Sequence, residues 1–214
     1  VNYKSVFDII GPIMIGPSSS HTAGAARIGA AARQIFGKTP KNIIAYFYGS
    51  FAETYQGHGT DIAIIGGLLG FDTDNPNIPN SIDIAKKENI NIEFLVSDDT
   101  PPHPNTAKLI ISDEENTLNI VGISIGGGSI QILEINDIKI ESEKESFIII
   151  HSKELTKLEN ISEVLKKLNT QDLTKKGASK FFLTIAYYNS DENVENIMQQ
   201  IQASSDVLEI IQIN

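Results

Sequence analysis

With 214 residues, 41% of them hydrophobic and 21% charged, the chain is long enough for one large or two small domains with a buried core. No apolar run approaches the ~20 residues of a membrane span, and a formal net charge of −10 opposes binding to phosphate backbones. There is no cysteine, which excludes disulfides, a cysteine nucleophile, a thiolate zinc site and an iron–sulfur cluster ligated by this chain's own thiolates.

The first residues, Val1-Asn2-Tyr3-Lys4, lack the basic start and apolar core of a signal peptide, so a cytoplasmic location is expected. Ser5 to Ile9 reads as a short helix. His21 to Phe36 is predicted as an Ala/Gly-rich helix whose apolar stripe is Ala25, Ile28, Ala32 and Ile35. A strand follows at Ile43 to Tyr48, then helices at Asp61 to Leu69 and Ser81 to Glu88, then a strand at Ile92 to Val96. Two hairpins come next: Leu109 to Ser112 with Leu118 to Ser124, and Ile130 to Ile135 with Ile138 to Ile140 around Asn136-Asp137. The polar stretch Glu141 to Ser146 separates this part from a more regular one.

Past that break, Phe147 to Ile150 is a short apolar strand, and Ile161, Val164, Leu165 and Leu168 recur at helical spacing. A strand fits around Thr170 to Lys175, and Phe181, Leu183, Ile185 and Tyr187 alternate at period two. Val194, Ile197, Met198 and Ile201 mark a second helix, and Leu208, Ile210 and Ile213 lie in a last strand. The order βαββαβ is the split-βαβ arrangement. The expected fold class is α/β (α+β): a mixed α/β domain over residues 1–145 and a ferredoxin-like βαββαβ domain over residues 146–214.

Chemistry concentrates in four segments. Gly16-Pro17-Ser18-Ser19-Ser20-His21-Thr22 runs into the first long helix. Its serines are N-cap candidates, and the free N–H groups of a helix start attract carboxylate or phosphate. Ala23 to Ala26 are small enough for close approach, and Arg27 adds a fixed charge. In Gly57-His58-Gly59-Thr60-Asp61 the glycines open space around an imidazole whose ordinary pKa suits proton transfer, and Thr60 or Asp61 can cap the next helix. Pro101-Pro102-His103-Pro104-Asn105-Thr106 holds three polar side chains in a stiff loop. Gly126-Gly127-Gly128-Ser129 lacks a Walker lysine and reads as a bulge or tight turn between strands. No histidine pair has metal-ligand spacing, so no metal site is expected from this chain alone.

Taken together, GPSSSHTAGAAR (Gly16 to Arg27), GSFAETYQGHGTD (Gly49 to Asp61) and HPNT (His103 to Thr106) resemble the beta-chain domain of iron–sulfur-dependent L-serine dehydratases, in order and in spacing. The likeness covers residues 1 to about 145, a fold also known from allosteric-substrate-binding domains, and the tail resembles an ACT domain. It implies a cytoplasmic lyase subunit of amino-acid degradation and gluconeogenesis. L-serine would lose water, and the resulting enamine would hydrolyse to pyruvate and ammonia. It also implies a [4Fe–4S] cluster held by the cysteines of a separate alpha subunit, without which this chain is inactive; the absence of cysteine here fits that division. His58 would be the base at the substrate Cα, with His21 able to exchange roles with it. Ser18, Ser19, Ser20, Thr22, Thr60, His103, Asn105 and Thr106 would bind substrate.

Many effector-binding ACT domains have an Asp and a Gly between first strand and first helix. Here the aligned stretch is Thr156-Lys157-Leu158-Glu159-Asn160, with Glu159 at the glycine position, which points to dimerisation rather than effector binding. The alternative reading of the whole chain is a regulatory protein that binds an amino acid or hydroxyacid without catalysis. A carboxylate-binding module has no evident need for three imidazoles, which separates the two. A stand-alone serine hydrolase lacks its nucleophile elbow.

Overall fold

The computed structural model describes residues 13–140, 147–152, 169–172, 182–187, 194–203 and 207–213. The chain forms two compact units, one built from residues 1–114 with 118–137 and the other from 115–117 with 138–214.

The first unit places helices on a mixed sheet. Its first long helix, α1 (Gly24–Phe36), is entered through a π-helical turn, Ser19–Ala23, whose N-cap is Ser18. The expected stripe Ala25, Ile28, Ala32 and Ile35 is buried, and so are Ala26, Ala31 and Phe36, making the apolar face wider than the pattern suggested. Helix α1 stops at Gly37, which takes φ 81° and sends its N–H to the carbonyls of Arg33 and Gln34. Strand β1 (Asn42–Tyr48) leads into a short helix, α2 (Gly49–Thr54), which the sequence did not disclose. Helix α3 (Thr60–Leu69) and helix α4 (Ser81–Lys87) follow.

Strands β2 (Asn91–Val96), β3 (Thr106–Ser112), β4 (Thr117–Gly126) and β5 (Ser129–Ile135) complete a sheet whose order runs β2-β1-β3-β4-β5, and the two-residue strand β6 (Ile138–Lys139) comes next in the chain. β1 pairs parallel to β2 and antiparallel to β3. Ile43, Ala45 and Phe47 of β1 stand opposite Ile111, Leu109 and Ala107 of β3, and all six are buried on one face. Asn136 and Asp137 turn the last hairpin with φ 51° and 66°, as a type I′ turn requires.

Helices α1 and α3 approach so closely that only glycine fits at two contacts. A Cβ on Gly29 would lie 2.2 Å from the Ile64 carbonyl oxygen, and one on Gly67 would lie 2.0 Å from that of Ala26. This contact matters for the site, because α1 begins just after His21 and α3 just after His58.

The second unit contains β7 (Phe147–Ser152), β8 (Asn169–Asp172), β9 (Phe182–Tyr187), helix α5 (Val194–Gln202) and β10 (Val207–Ile213). Its sheet is antiparallel with order β10-β7-β9-β8. The alternation expected at 181–187 is replaced by continuous burial of Leu183, Thr184, Ile185, Ala186 and Tyr187, the signature of a strand covered on both sides. The strand expected at 170–175 is described as Asn169–Asp172. The helices expected at 5–9 and 161–168, the polar break 141–146 and the stretch 156–160 lie outside the described residues.

Candidate active site

Ser18 starts the site. Its Oγ accepts the His21 backbone N–H at 3.1 Å, which is N-capping, and lies 3.2 Å from His21 Nδ1. The turn it caps is a π turn, so His21 belongs to a helical element rather than to a loop. The wider turn takes the Ala23 N–H back to the Ser18 carbonyl and the Gly24 N–H to that of Ser19. Ser20 Oγ lies 3.5 Å from Ser18 Oγ.

Both ring nitrogens of His21 are engaged. Nε2 lies 2.9 Å from Ser50 Oγ, in α2. Ser18 Oγ already accepts a backbone proton and can donate its own to Nδ1, which leaves Nε2–H to donate to Ser50. That pattern suits a neutral ring. Burial and the neighbouring His58 both lower the His21 pKa from its ordinary 6.5, burial more.

His58 faces His21 edge-on, with ring centroids 4.8 Å apart at 77°. Phe51 closes the other side of His21 at 5.5 Å. The His58 backbone is held at both ends: its N–H reaches the Thr54 carbonyl at 2.9 Å, and its carbonyl accepts from Thr22 Oγ1 at 3.0 Å. Thus a hydroxyl of the first motif fixes the main chain of the second. His58 Nδ1 is buried with no hydrogen-bond partner, and so is Thr60 Oγ1. Thr60 does not cap α3. Gly59, at φ 66°, is the N-cap residue, and Thr60 is the first residue inside the helix. Asp61 Oδ1 instead accepts the Ile62 N–H at 2.8 Å, while burial raises its pKa.

The third motif meets the second through its backbone. The Phe51 N–H points to the Pro104 carbonyl at 3.4 Å, and Gly49, at φ 51°, lets Pro104 come so near that a Cβ would lie 2.8 Å from its oxygen. Within the loop, His103 Nδ1 accepts the Asn105 N–H at 3.1 Å, and Thr106 Oγ1 donates to the His103 carbonyl. The ring of His103 bonds within its own loop and makes no ring contact with His21 or His58 among the described residues. A cavity of about 490 Å³ beside Arg27, Asp72 and Asp74 contains none of the three histidines.

A family model described as serine dehydratase beta chain matches residues 5–91. The probable L-serine dehydratase beta chain of Bacillus subtilis (strain 168) is 45% identical, over 100% of this chain and 99% of that one. The chain belongs to the serine dehydratase beta-chain family. The L-serine dehydratase beta chain of Peptoniphilus asaccharolyticus is 42% identical over 68% of this chain and 67% of its own length. L-serine dehydratase 2 of Escherichia coli (strain K12) is 44% identical over 37% of this chain but only 17% of itself, so there the family's segment is part of a longer polypeptide.

Two members of the site escaped the sequence reading. Ser50 sits inside a quoted motif, but nothing in its neighbours announces that it bonds a histidine 29 residues earlier. Phe51 was equally silent, since one buried aromatic looks like any other.

The lowered pKa of His21 has a testable consequence. As pH falls below 6.5, the unfolded chain takes up a proton at this residue before the folded chain does. The fold is therefore expected to keep its full stability above that pH and to lose some between 6.5 and the lower folded value. Thermal unfolding followed between pH 7.5 and pH 5.5 checks this. His21→Asn is expected to flatten the decline; a variant with the wild-type slope would show that His21 is not its source.

Proposed function

We propose that this chain is the beta subunit of an L-serine dehydratase, supplying binding and proton-transfer groups to a site completed by a separate alpha subunit. The observation that carries the reading is the meeting of His21 and His58 at 4.8 Å beside polar atoms that the chain itself leaves unpaired, His58 Nδ1 and Thr60 Oγ1. Buried polar atoms without partners are uncommon, and at a reaction site they mark places kept for a ligand. The names of the relatives agree with this reading.

Dehydration of L-serine needs a base at Cα, a hold on the carboxylate and help for a poor leaving group. His58 is the better base, because both nitrogens of His21 are engaged by serines whereas His58 Nδ1 is not. His21 then holds its place between Ser18, Ser50 and His58 and keeps a neutral ring beside the base. The Thr22 hydroxyl is used on the His58 carbonyl and that of Thr106 on His103, so both hold the site's frame. Ser19 and Thr60 remain for substrate together with Ser20 and Asn105, each of which makes only one long side-chain contact of 3.5 Å, to Ser18 Oγ and to the Ser124 carbonyl respectively. The donor set of this chain does not suit an iron–sulfur cluster, so a [4Fe–4S] group would be held by alpha-subunit cysteines. Bound there, it would supply a Lewis-acidic iron for the serine hydroxyl.

The second unit is proposed to be an ACT-like domain serving dimerisation. Its strand order β10-β7-β9-β8, antiparallel throughout, supports a ferredoxin-like arrangement.

Anaerobic co-expression with a cysteine-containing alpha-type chain tests the proposal. A brown complex that forms pyruvate from L-serine, while this chain alone forms none, is the expected result. Failure to associate, or association without turnover, would overturn it.

A further inference from the structure

The turn Gly126 to Gly128 lies outside the three motifs that carry the family resemblance, yet the strand end leading into it is fastened to two of them. Ser124, near the end of β4, donates its backbone N–H to the Asn105 carbonyl at 3.0 Å, and its own carbonyl receives Asn105 Nδ2 at 3.5 Å. The pair of bonds grips both the main chain and the side-chain amide of Asn105. On its other side Ser124 presses on the start of α1: a Cβ on Gly24 would lie 2.1 Å from Ser124 Oγ and 2.6 Å from Ser124 Cβ. Four residues on, the Gly128 carbonyl accepts from Arg27 Nη1 at 3.0 Å, so α1 holds the turn at a second point. The turn can form because Gly126, Gly127 and Gly128 adopt φ 104°, 60° and 82°, which side chains resist.

Ser124 is fully buried, and its Oγ has no hydrogen-bond partner. If it served packing alone, alanine would fill the position without burying an unpaired hydroxyl. In the same unit His58 Nδ1, Thr60 Oγ1 and Asn119 Oδ1 share this condition, and the first two belong to the second motif, His58 being one of the histidine pair.

We infer that Ser124 is a positioning residue of the proposed serine site, the joint that sets the amide of Asn105 against the start of α1. This rests on the reading of Asn105 as a substrate-binding residue. The segment Ser124 to Gly128 is then a fourth wall of the site, clamped to the first motif by Gly24 and Arg27 and to the third by Asn105. Its unpaired hydroxyl is kept for a bond formed when substrate and the second chain close the site.

The test uses Ser124→Ala and Asn105→Ala, singly and together, in the two-chain complex, with Gly24→Ala as a second route to the same joint. Ser124→Ala keeps both main-chain bonds to Asn105 and removes only the unpaired hydroxyl, the group proposed to bond when the site closes. We therefore expect kcat to fall at least tenfold with KM changed less and the melting temperature kept or raised. The double variant should be little worse than Asn105→Ala alone, because the two act as one unit. Wild-type kcat in Ser124→Ala, or additive losses in the double variant, would overturn the inference while leaving the serine reading intact. Absence of turnover in the wild-type complex would instead overturn the serine reading. The joint is still read by hydrogen exchange in this chain alone: the Ser124 amide should be protected in wild type and lose protection in Gly24→Ala. Unchanged protection in Gly24→Ala would overturn the joint itself.

Discussion

Replacing His58 by alanine in the two-chain complex is expected to lower turnover of L-serine by a factor of about 10²–10⁴, the range that a positioned general base contributes. The fold around it should survive. The bonds that hold residue 58 are main-chain ones, its N–H to Thr54 and its carbonyl to Thr22 Oγ1, and alanine keeps both. The substitution even removes a buried, unpaired Nδ1. A large loss of turnover with an unchanged melting temperature therefore reports chemistry rather than unfolding. His21→Ala is expected to act differently, because it frees Ser18 and Ser50 and removes the ring against which His58 rests, so stability and turnover should fall together. If His58→Ala turns over at close to the wild-type rate, His58 is not the base.

The difference between those two histidines was beyond the sequence. Both sit among small polar residues, and only the packed structure tells which ring is tied down. Other features were open to reading. Three serines before an Ala-rich stretch announce a helix cap, and Ser18 is the one that caps. The extra width of the turn after it has no pattern of its own, since an i→i+5 bond differs from an i→i+4 bond by one residue of slack. Gly59 shows the opposite case. Thr60 and Asp61 have the chemistry of caps, but a left-handed glycine one residue earlier had already ended the turn, and that left the Thr60 hydroxyl unpaired inside the site.

Short elements and contacts between residues distant in the sequence were the least legible. Helix α2 spans only Gly49–Thr54, too few residues for a period to declare itself, yet it carries Ser50 and Phe51 to His21. Ser124 looked like any polar residue in a strand; its meaning lies in Asn105 and Gly24, 19 and 100 positions away in the chain. In the sequence, only resemblance to a family joins the separated motifs, since periodicity stops at the ends of each element. The glycines of α1 and α3 fall between these cases: glycine inside a helix signals a close neighbour without saying which.

That close neighbour sets the second large expectation. Gly67→Ala is expected to destabilise the first unit by about 2 kcal/mol, although alanine is the better helix former. The added methyl would start 2.0 Å from the Ala26 carbonyl oxygen and 2.6 Å from the Ala30 nitrogen, both of them backbone atoms that cannot rotate aside. Overpacking of this kind costs up to about 3 kcal/mol, and the gain in helix propensity returns only about 1. For a chain of this size the melting temperature should fall by roughly 4–8 °C. Gly29→Ala, at 2.2 Å from the Ile64 carbonyl oxygen, should behave alike. The double variant should fall short of the sum, since one separation of the helices relieves both contacts. Calorimetry of the three variants decides it, and a Gly67→Ala protein that melts at or above the wild-type temperature would mean that the helices part at no cost. Turnover should suffer as well, because His21 sits at the head of α1 and His58 at the head of α3: helices pushed apart at Gly67 carry the two rings out of their 4.8 Å contact.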